Sequence, residues 1–347
     1  MAAPTKQPLS TQELINGVLG FIEREREREI ISRRFGLFER KETLEQIGEL
    51  LGITRERVRQ LEKMVMQKLK AAGSNNSLPG IDSFQKIVLE TLEESGQAMR
   101  ISKLTSTLIS SPNRVEQSRV AFLCDLCKDL LVIQDDDTFH ASVTNAKIYD
   151  KETIKADVDV IVNCVTKAGE PLKIDKLATL SGIKDKTRVE ALANLSKNLT
   201  SLNGVWGLVK WPLVNPKNIR DNIYVILKSN GKHMHFNEIA EAIKNSEFKR
   251  RDVTTQAIHN ELIKDKRFVL IGRGIYALKE WGYEKGTVAD IIGQILREAN
   301  QPLHKDEIVQ RVLKCRFVKE TTILLNLQGK EQFHRVAKAT YELVEAD

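Results

Sequence analysis

The stretch TLEQIGELLGITRERVRQLEKMVMQKLK, Thr43 to Lys70, decides the fold of the N-terminal part of the chain. Thr43 with Gln46 three residues on has the pattern of a capping box, in which a hydroxyl and a side-chain amide each satisfy an orphan backbone N–H. Leu44, Ile47, Leu50 and Leu51 then recur at helical spacing, so one face of a short helix is expected to be apolar. Gly52 stands where the chain must turn sharply with a positive φ, which glycine adopts without steric cost. Thr54 is placed to cap a second helix with the apolar face Val58, Leu61, Val65 and Leu69. Helix, glycine-containing turn and helix make a helix-turn-helix.

The other face of the second helix carries Arg55, Glu56, Arg59 and Gln60. These lie in its first two turns, the part that reaches base edges when such a helix enters a major groove. Arginine can donate two hydrogen bonds to guanine, glutamine can pair with adenine, and glutamate can accept from cytosine. Thr54 and Arg57 are better placed for phosphates, which position a protein without reading sequence. Taken alone, the segment also reads as a solvated charged face braced by pairs such as Glu56 with Gln60.

The longer block joins REREREIISRRFGL (Arg24 to Leu37) to the stretch quoted above, and covers roughly fifty residues. It resembles region four of primary-type bacterial sigma factors almost position by position. The resemblance implies that Arg55, Glu56, Arg59 and Gln60 read the upstream, minus thirty-five, promoter element. It implies backbone contacts from Arg34, Thr54 and Arg57, and docking of the helix at residues 23–35 on the flap of RNA polymerase. The Glu/Arg alternation from Glu23 to Glu29 itself reads as a salt-bridged helix exterior. Sigma factors carry further domains before region four, which bind the polymerase clamp and melt the downstream element. About twenty residues precede the block here, so recognition without melting is the expectation.

Downstream, residues 73–83 gather small, polar and helix-breaking residues and read as a linker. After them the chain repeats itself four times. The starts are IVLETLEESGQAMRISKLTSTL from Ile87, VIVNCVTKAGEPLKIDKLATLSGI from Val160, YVILKSNGKHMHFNEIAEAIKN from Tyr224 and IIGQILREANQPLHKDEIVQRVLK from Ile291. In each, a break at Gly96, Gly169, Gly231 or Asn300 precedes a short strand and a second amphipathic helix. The spacing of roughly 60 to 75 residues suits small domains rather than solenoid repeats. Each repeat ends on a third helix and a two-stranded segment, which is the plan of a winged helix. The expected fold is mainly α with small β-hairpins: a helix-turn-helix over residues 9–72, the linker, and four tandem winged helices over 84–150, 151–215, 216–284 and 285–347.

Residues 248–277, FKRRDVTTQAIHNELIKDKRFVLIGRGIYA, resemble a HARE-type winged helix, related also to the delta subunit of bacterial RNA polymerase. Arg250, Arg251, Thr254, Gln256, His259 and Arg273 form a candidate second DNA surface, with Asn260 beside them. Between Phe248 and Arg273 seven basic residues, Arg267 among them, face three acidic ones, a local excess of +4 suited to phosphate. Asp135, Asp136 and Asp137 in the first repeat's wing would repel phosphate, so that module is expected to contact protein or act as a spacer. The second repeat (Lys184, Lys186, Arg188) and the fourth (Lys314, Arg316, Lys319) are mildly basic, with either role open. Trp206, Trp211 and Trp281 are expected to anchor core rather than to stack on bases.

The chain has 347 residues, 41% hydrophobic and 29% charged, too apolar for wholesale disorder and long enough for several cores. Its net charge of +7 leans towards an anionic partner. No apolar run is long enough to span a bilayer, and the first ten residues lack the apolar core of a signal peptide. A cytoplasmic, nucleoid-associated protein is expected. Cys124 and Cys127 form a CxxC, but AFLCDLCKDLL repeats apolar residues at helical spacing, so core packing is expected rather than a metal site. No phosphate loop, HExxH or nucleophile elbow is present, and neither catalysis nor a cofactor is expected. Duplex DNA and RNA polymerase core are the expected partners. Two further readings stay open: a polymerase-associated scaffold with little sequence reading, and an accessory factor in DNA repair or defence.

Overall fold

The computed structural model describes residues 10–248, 253–283 and 285–344. The chain divides into two compact units, Met1–Lys210 and Trp211–Asp347. The described residues are mainly helical, with small antiparallel sheets.

The first unit opens with four helices: α1 (Thr11–Gly20), α2 (Glu25–Phe35), α3 (Leu44–Leu51) and α4 (Arg55–Ser74). The capping box forms as expected. Thr43 N–H donates to Gln46 Oε1 at 2.9 Å, and Gln46 N–H to Thr43 Oγ1 at 3.3 Å. Gly52 adopts φ +63°, and Thr54 Oγ1 accepts from Arg57 N–H at 3.2 Å. The expected stripe on α3 needs one correction, because Leu50 is 55% exposed. The covered arc comprises Leu44, Ile47, Gly48 and Leu51, the i, i+3, i+4, i+7 set, with glycine where an apolar side chain would ordinarily stand. A Cβ on Gly48 would lie 2.7 Å from the Ile53 carbonyl oxygen, so the bare backbone lets the turn close over the helix.

Two cores meet on α4. Its N-terminal half supplies Val58 and Leu61 to a small cluster with Ile30 and Ile47. Its C-terminal half buries Val65, Met66, Leu69 and Ala72 in a larger core with Ile15, Val18, Phe84, Val88, Phe122 and Leu123. A twenty-residue helix spans about 30 Å, so one rigid rod serves both.

Residues 73–83 are not the loose spacer their composition suggested. α4 runs to Ser74, Leu78 and Ile81 are buried, and α5 (Ile81–Glu94) begins at once. Two apolar residues among small polar ones are enough to pin the turn to the core.

The first repeat continues with β1 (Ala98–Arg100), α6 (Ile101–Leu108), α7 (Arg114–Leu126), β2 (Leu130–Ile133) and β3 (Ser142–Asn145). The second comprises α8 (Lys151–Ala168), β4 (Leu172–Lys173), α9 (Ile174–Ser181), α10 (Lys186–Leu195), β5 (Leu199–Leu202) and β6 (Val205–Leu208). In the second unit come α11 (Ile219–Asn230), β7 (Met234–His235), α12 (Phe236–Lys244), α13 (Thr255–Lys264), β8 (Phe268–Gly272) and β9 (Ile275–Leu278). It ends with α14 (Val288–Ala299), β10 (Leu303–His304), α15 (Lys305–Cys315), α16 (Glu320–Gly329), β11 (Phe333–Ala337) and β12 (Thr340–Leu343).

Each repeat is therefore helix, short strand, two helices and a hairpin. In every case the short strand pairs antiparallel with the last strand, giving a three-stranded sheet in the order first, third, second. All four break residues carry positive φ: Gly96 +81°, Gly169 +69°, Gly231 +67° and Asn300 +49°. In three sheets an apolar residue of the short strand faces an aromatic across the pair: Leu172 with Trp206, Met234 with Tyr276 and Leu303 with Tyr341. Such cross-strand pairs stabilise small sheets and fix their register. Trp206 is buried and Trp281 packs on the β8–β9 hairpin, both as core anchors.

Candidate nucleic-acid interface

Thr54, Arg55, Glu56, Arg57, Arg59 and Gln60 are all exposed on the first two turns of α4. Each basic side chain already has a partner within the chain. Arg59 makes a two-pronged contact with Glu56 at 2.7 and 2.8 Å, Arg55 pairs with Glu45 at 2.7 Å, and Arg57 donates to Gln60 at 3.3 Å. The hydrogen bonds from Arg59 hold the Glu56 carboxyl below its ordinary pKa, and Glu56 in turn raises the Arg59 guanidinium. Exposed pairs of this kind are weak and exchange readily for a stronger anion. Arg34 sits apart from this face, half-buried between α2 and α4. It donates to the Glu42 carbonyl at 3.3 Å and pairs with Glu62 at 3.4 Å.

The four N-terminal helices are fastened to the first repeat through α7. Arg119 on α7 is buried and donates from Nε to the Leu37 carbonyl at 2.7 Å and from Nη1 to Glu116 at 2.8 Å. Phe122 packs on Phe35 with ring centroids 4.9 Å apart, Thr11 donates to Glu116, and Lys70 pairs with Asp125 at 2.7 Å. Composition gave no sign of this contact, since a lone arginine within a helix looks like surface. α7 is the third helix of its repeat, the position from which winged helices commonly read DNA. Here most of its length is committed to the N-terminal helices.

The acidic segment between β2 and β3 of the first repeat is bonded to the second repeat within this chain. Lys197 bonds Asp135 at 2.8 Å and the Asp136 carbonyl at 2.5 Å, and its hydrogen bond lowers the Asp135 pKa. The backbone of His140 and Lys197 continues the seam, bonding Leu195 and Thr138 at 2.9 and 2.8 Å. Arg188 of the second repeat stacks on Tyr149 and pairs with Asp157 at 3.5 Å, so it is not a free phosphate contact.

In the second unit, Thr254 caps α13 and accepts from the Ala257 N–H at 3.2 Å, while Gln256 bonds Asn260 at 3.1 Å. Thr254, Gln256 and Asn260 are all exposed or half-exposed on that helix. His259 lies differently from the expectation. It is half-buried between the rings of Phe236 and Tyr276, at 5.0 and 6.1 Å, because α13 packs its middle turn against the sheet. Arg273 is exposed at the hairpin turn, between Gly272 and Gly274. Arg267 bonds Asp265 at 2.8 Å and Asp221 at 3.2 Å, which removes one charge from the expected basic footprint. Arg250 and Arg251, with Lys249, lie outside the described residues.

Cys124 and Cys127 are both buried, and Cys127 Sγ contacts the Leu123 carbonyl at 3.2 Å. Burial pushes the Cys127 thiol up to about 12 and raises Cys124 strongly. Both are core side chains. Among the described residues no group of three or more His, Cys, Asp or Glu could hold a metal ion, and no helix is long and apolar enough to cross a membrane.

The family model for Sigma-70, region 4 matches residues 24–71. In sigma factors, region 4 is a DNA-binding helix-turn-helix that contacts the −35 promoter element and RNA polymerase. The chain is similar to RNA polymerase sigma factor sigB of Arabidopsis thaliana, 48% identical over 54 residues, or 15% of this chain and 9% of that protein. Against RNA polymerase sigma factor SigA1 of Synechococcus elongatus it is 41% identical over 68 residues, 19% of this chain and 17% of the relative. Against RNA polymerase sigma factor SigA of Nostoc it is 43% identical over 54 residues, 15% and 14% of the two chains. The chain thus spans less than a fifth of the length of these relatives, and the family match at residues 24–71 covers the helix-turn-helix.

Proposed function

We propose that this protein is a sequence-specific DNA-binding regulator of transcription that recognises a promoter-like element through α4. The observation that carries the reading is the exposed set Arg55, Glu56, Arg59 and Gln60 on a capped second helix, inside a segment matched by Sigma-70, region 4. In this reading the four repeats are winged helices, the third HARE-type, and the N-terminal helices also contact RNA polymerase core. Thr54, Arg57 and Arg34 bind phosphate, with Arg34 remaining beside Glu62. A second DNA surface comprises Thr254, Gln256 and Arg273 with Arg250 and Arg251. The protein works by binding, without catalysis, cofactor or metal.

A polymerase-associated scaffold is the second reading. It is favoured by the intramolecular partners of Arg55 and Arg59 and by the burial of α7, which leave fewer faces for DNA. Selection of genomic DNA fragments by the wild type and by an Arg55→Ala/Arg59→Ala variant separates the two. The expected result is a promoter-like motif that the variant loses, at roughly 5- to 150-fold in discrimination for each bidentate arginine–base pair removed. Equal binding of all sequences by both proteins, with the same salt dependence, would leave the scaffold as the better account.

A further inference from the structure

Between α4 and α7 runs a cleft of about 650 Å³, walled by Arg34, Lys41, Arg59, Lys63 and Lys70 on one side and by Ser118, Ala121 and Gln134 on the other. A second cleft of about 630 Å³ shares Lys41, Ser118 and Ala121 with it and continues past Arg40 to Arg114 at the start of α7. The two make one groove, and Arg59 of the reading face stands in its wall.

The charges along this groove are not balanced. Seven cations line it against four carboxylates. Three of those carboxylates are already engaged: Glu62 by Arg34, Asp125 by Lys70 and Asp135 by Lys197, while Glu39 is the fourth. Arg40, Lys41, Lys63 and Arg114 are exposed, and among the described residues none of them forms an ion pair. Arg114 also opens a thirteen-residue helix, whose N-terminal dipole adds positive potential. Four unneutralised cations in a concave track that begins at a base-reading helix fit a polyanion lying along it.

We propose that this groove is a phosphate track, in which Arg40, Lys41, Lys63 and Arg114 hold the backbone of the same duplex that α4 reads. The inference rests on the promoter-reading function above. It assigns the first repeat a part in DNA binding that its buried third helix and acidic wing conceal. The ends of α4 and α7 share the load: α4 supplies sequence, and the groove supplies affinity and a longer footprint. Phosphate contacts carry no base information.

The test uses the full chain carrying Arg40→Ala, Lys41→Ala, Lys63→Ala and Arg114→Ala, beside the Arg55→Ala/Arg59→Ala variant. Binding is measured against salt on a selected duplex and on a random one, with hydroxyl-radical footprints on the selected duplex. The four-site variant should weaken both duplexes alike and shorten the footprint on one side. It should also lower the slope of log K against log salt by about 0.9 for each phosphate that is no longer neutralised. A charge-keeping Lys41→Arg/Lys63→Arg control should retain the wild-type slope, and unchanged thermal unfolding shows that the fold is intact. Unaltered slope and footprint in the four-site variant would overturn the proposal, whatever the Arg55/Arg59 variant does. An unaltered footprint with failed capture of RNA polymerase core would also overturn it, assigning the groove to protein. Failure of the Arg55/Arg59 variant to alter discrimination would instead count against sequence reading.

Discussion

The proposed reading face of α4 holds Arg59 against Glu56 of the same helix and Arg55 against Glu45 of α3, and this has consequences for discrimination. On the proposed function, DNA displaces Glu56 from Arg59 and Glu45 from Arg55 before either arginine reaches a base. Glu56→Gln removes one competitor, so binding to non-matching duplexes is expected to rise and specificity to fall, measured as the ratio of the two affinities. The sign of the pH effect follows from the lowered Glu56 pKa. A depressed carboxylate keeps its charge above the ordinary carboxylate range and loses it only as the pH falls. Non-specific binding should therefore show no step from this pair between about pH 5.5 and 8, a range above the ordinary glutamate pKa. Gly48→Ala tests the closed turn. A Cβ 2.7 Å from the Ile53 carbonyl forces a shift costing about 1–3 kcal/mol, readable by urea unfolding. Cys124 and Cys127 should resist a thiol reagent at about pH 8 in the folded protein and react after denaturation, since their raised pKa values leave little thiolate.

Among the elements, what the sequence made legible was whatever local chemistry determines. Thr43, Thr54, Gly52 and the four break residues each act within a few positions of themselves, and the structure carries each cap and positive φ where the pattern put it. The apolar face of α4 was equally readable, because four residues at helical spacing leave one solution. Leu50 misled because a leucine weighs more in a pattern than a glycine, although Gly48 holds the covered position. The turn at residues 73–83 misled because its composition is polar while its two apolar residues decide its packing. Long-range contacts were not legible. Nothing near Arg119 announces that it meets the Leu37 carbonyl, and Lys41 and Arg114 are seventy-odd positions apart in the sequence yet share a groove. Arg119→Leu breaks a buried pair and orphans a carbonyl, at an expected cost of about 3–5 kcal/mol in the unfolding of the first unit. A loss below about 1 kcal/mol, the range of an exposed pair, would show that α7 is held by its apolar contacts alone.

At the scale of the molecule, the match to Sigma-70, region 4 ends at residue 71, but the core does not. Val65, Met66, Leu69 and Ala72 belong to the same cluster as Val88, Leu104, Phe122 and Val143. The matched segment therefore completes its core only with helices that have no counterpart in the match. A fragment ending at residue 72 is expected to expose Phe35, Val65 and Leu69 and to aggregate or lose cooperative unfolding, whereas residues 10–210 should unfold as one transition in calorimetry. The twenty-residue α4 has a further consequence, one of inheritance. A recognition module that folds alone can be moved between genes by a crossover at its edge. Here a crossover at that edge would carry α4 away from the helices that complete the core of its C-terminal half. New binding specificity in this lineage would then come from substitutions on the first two turns of α4, with the segment and its scaffold passed on together.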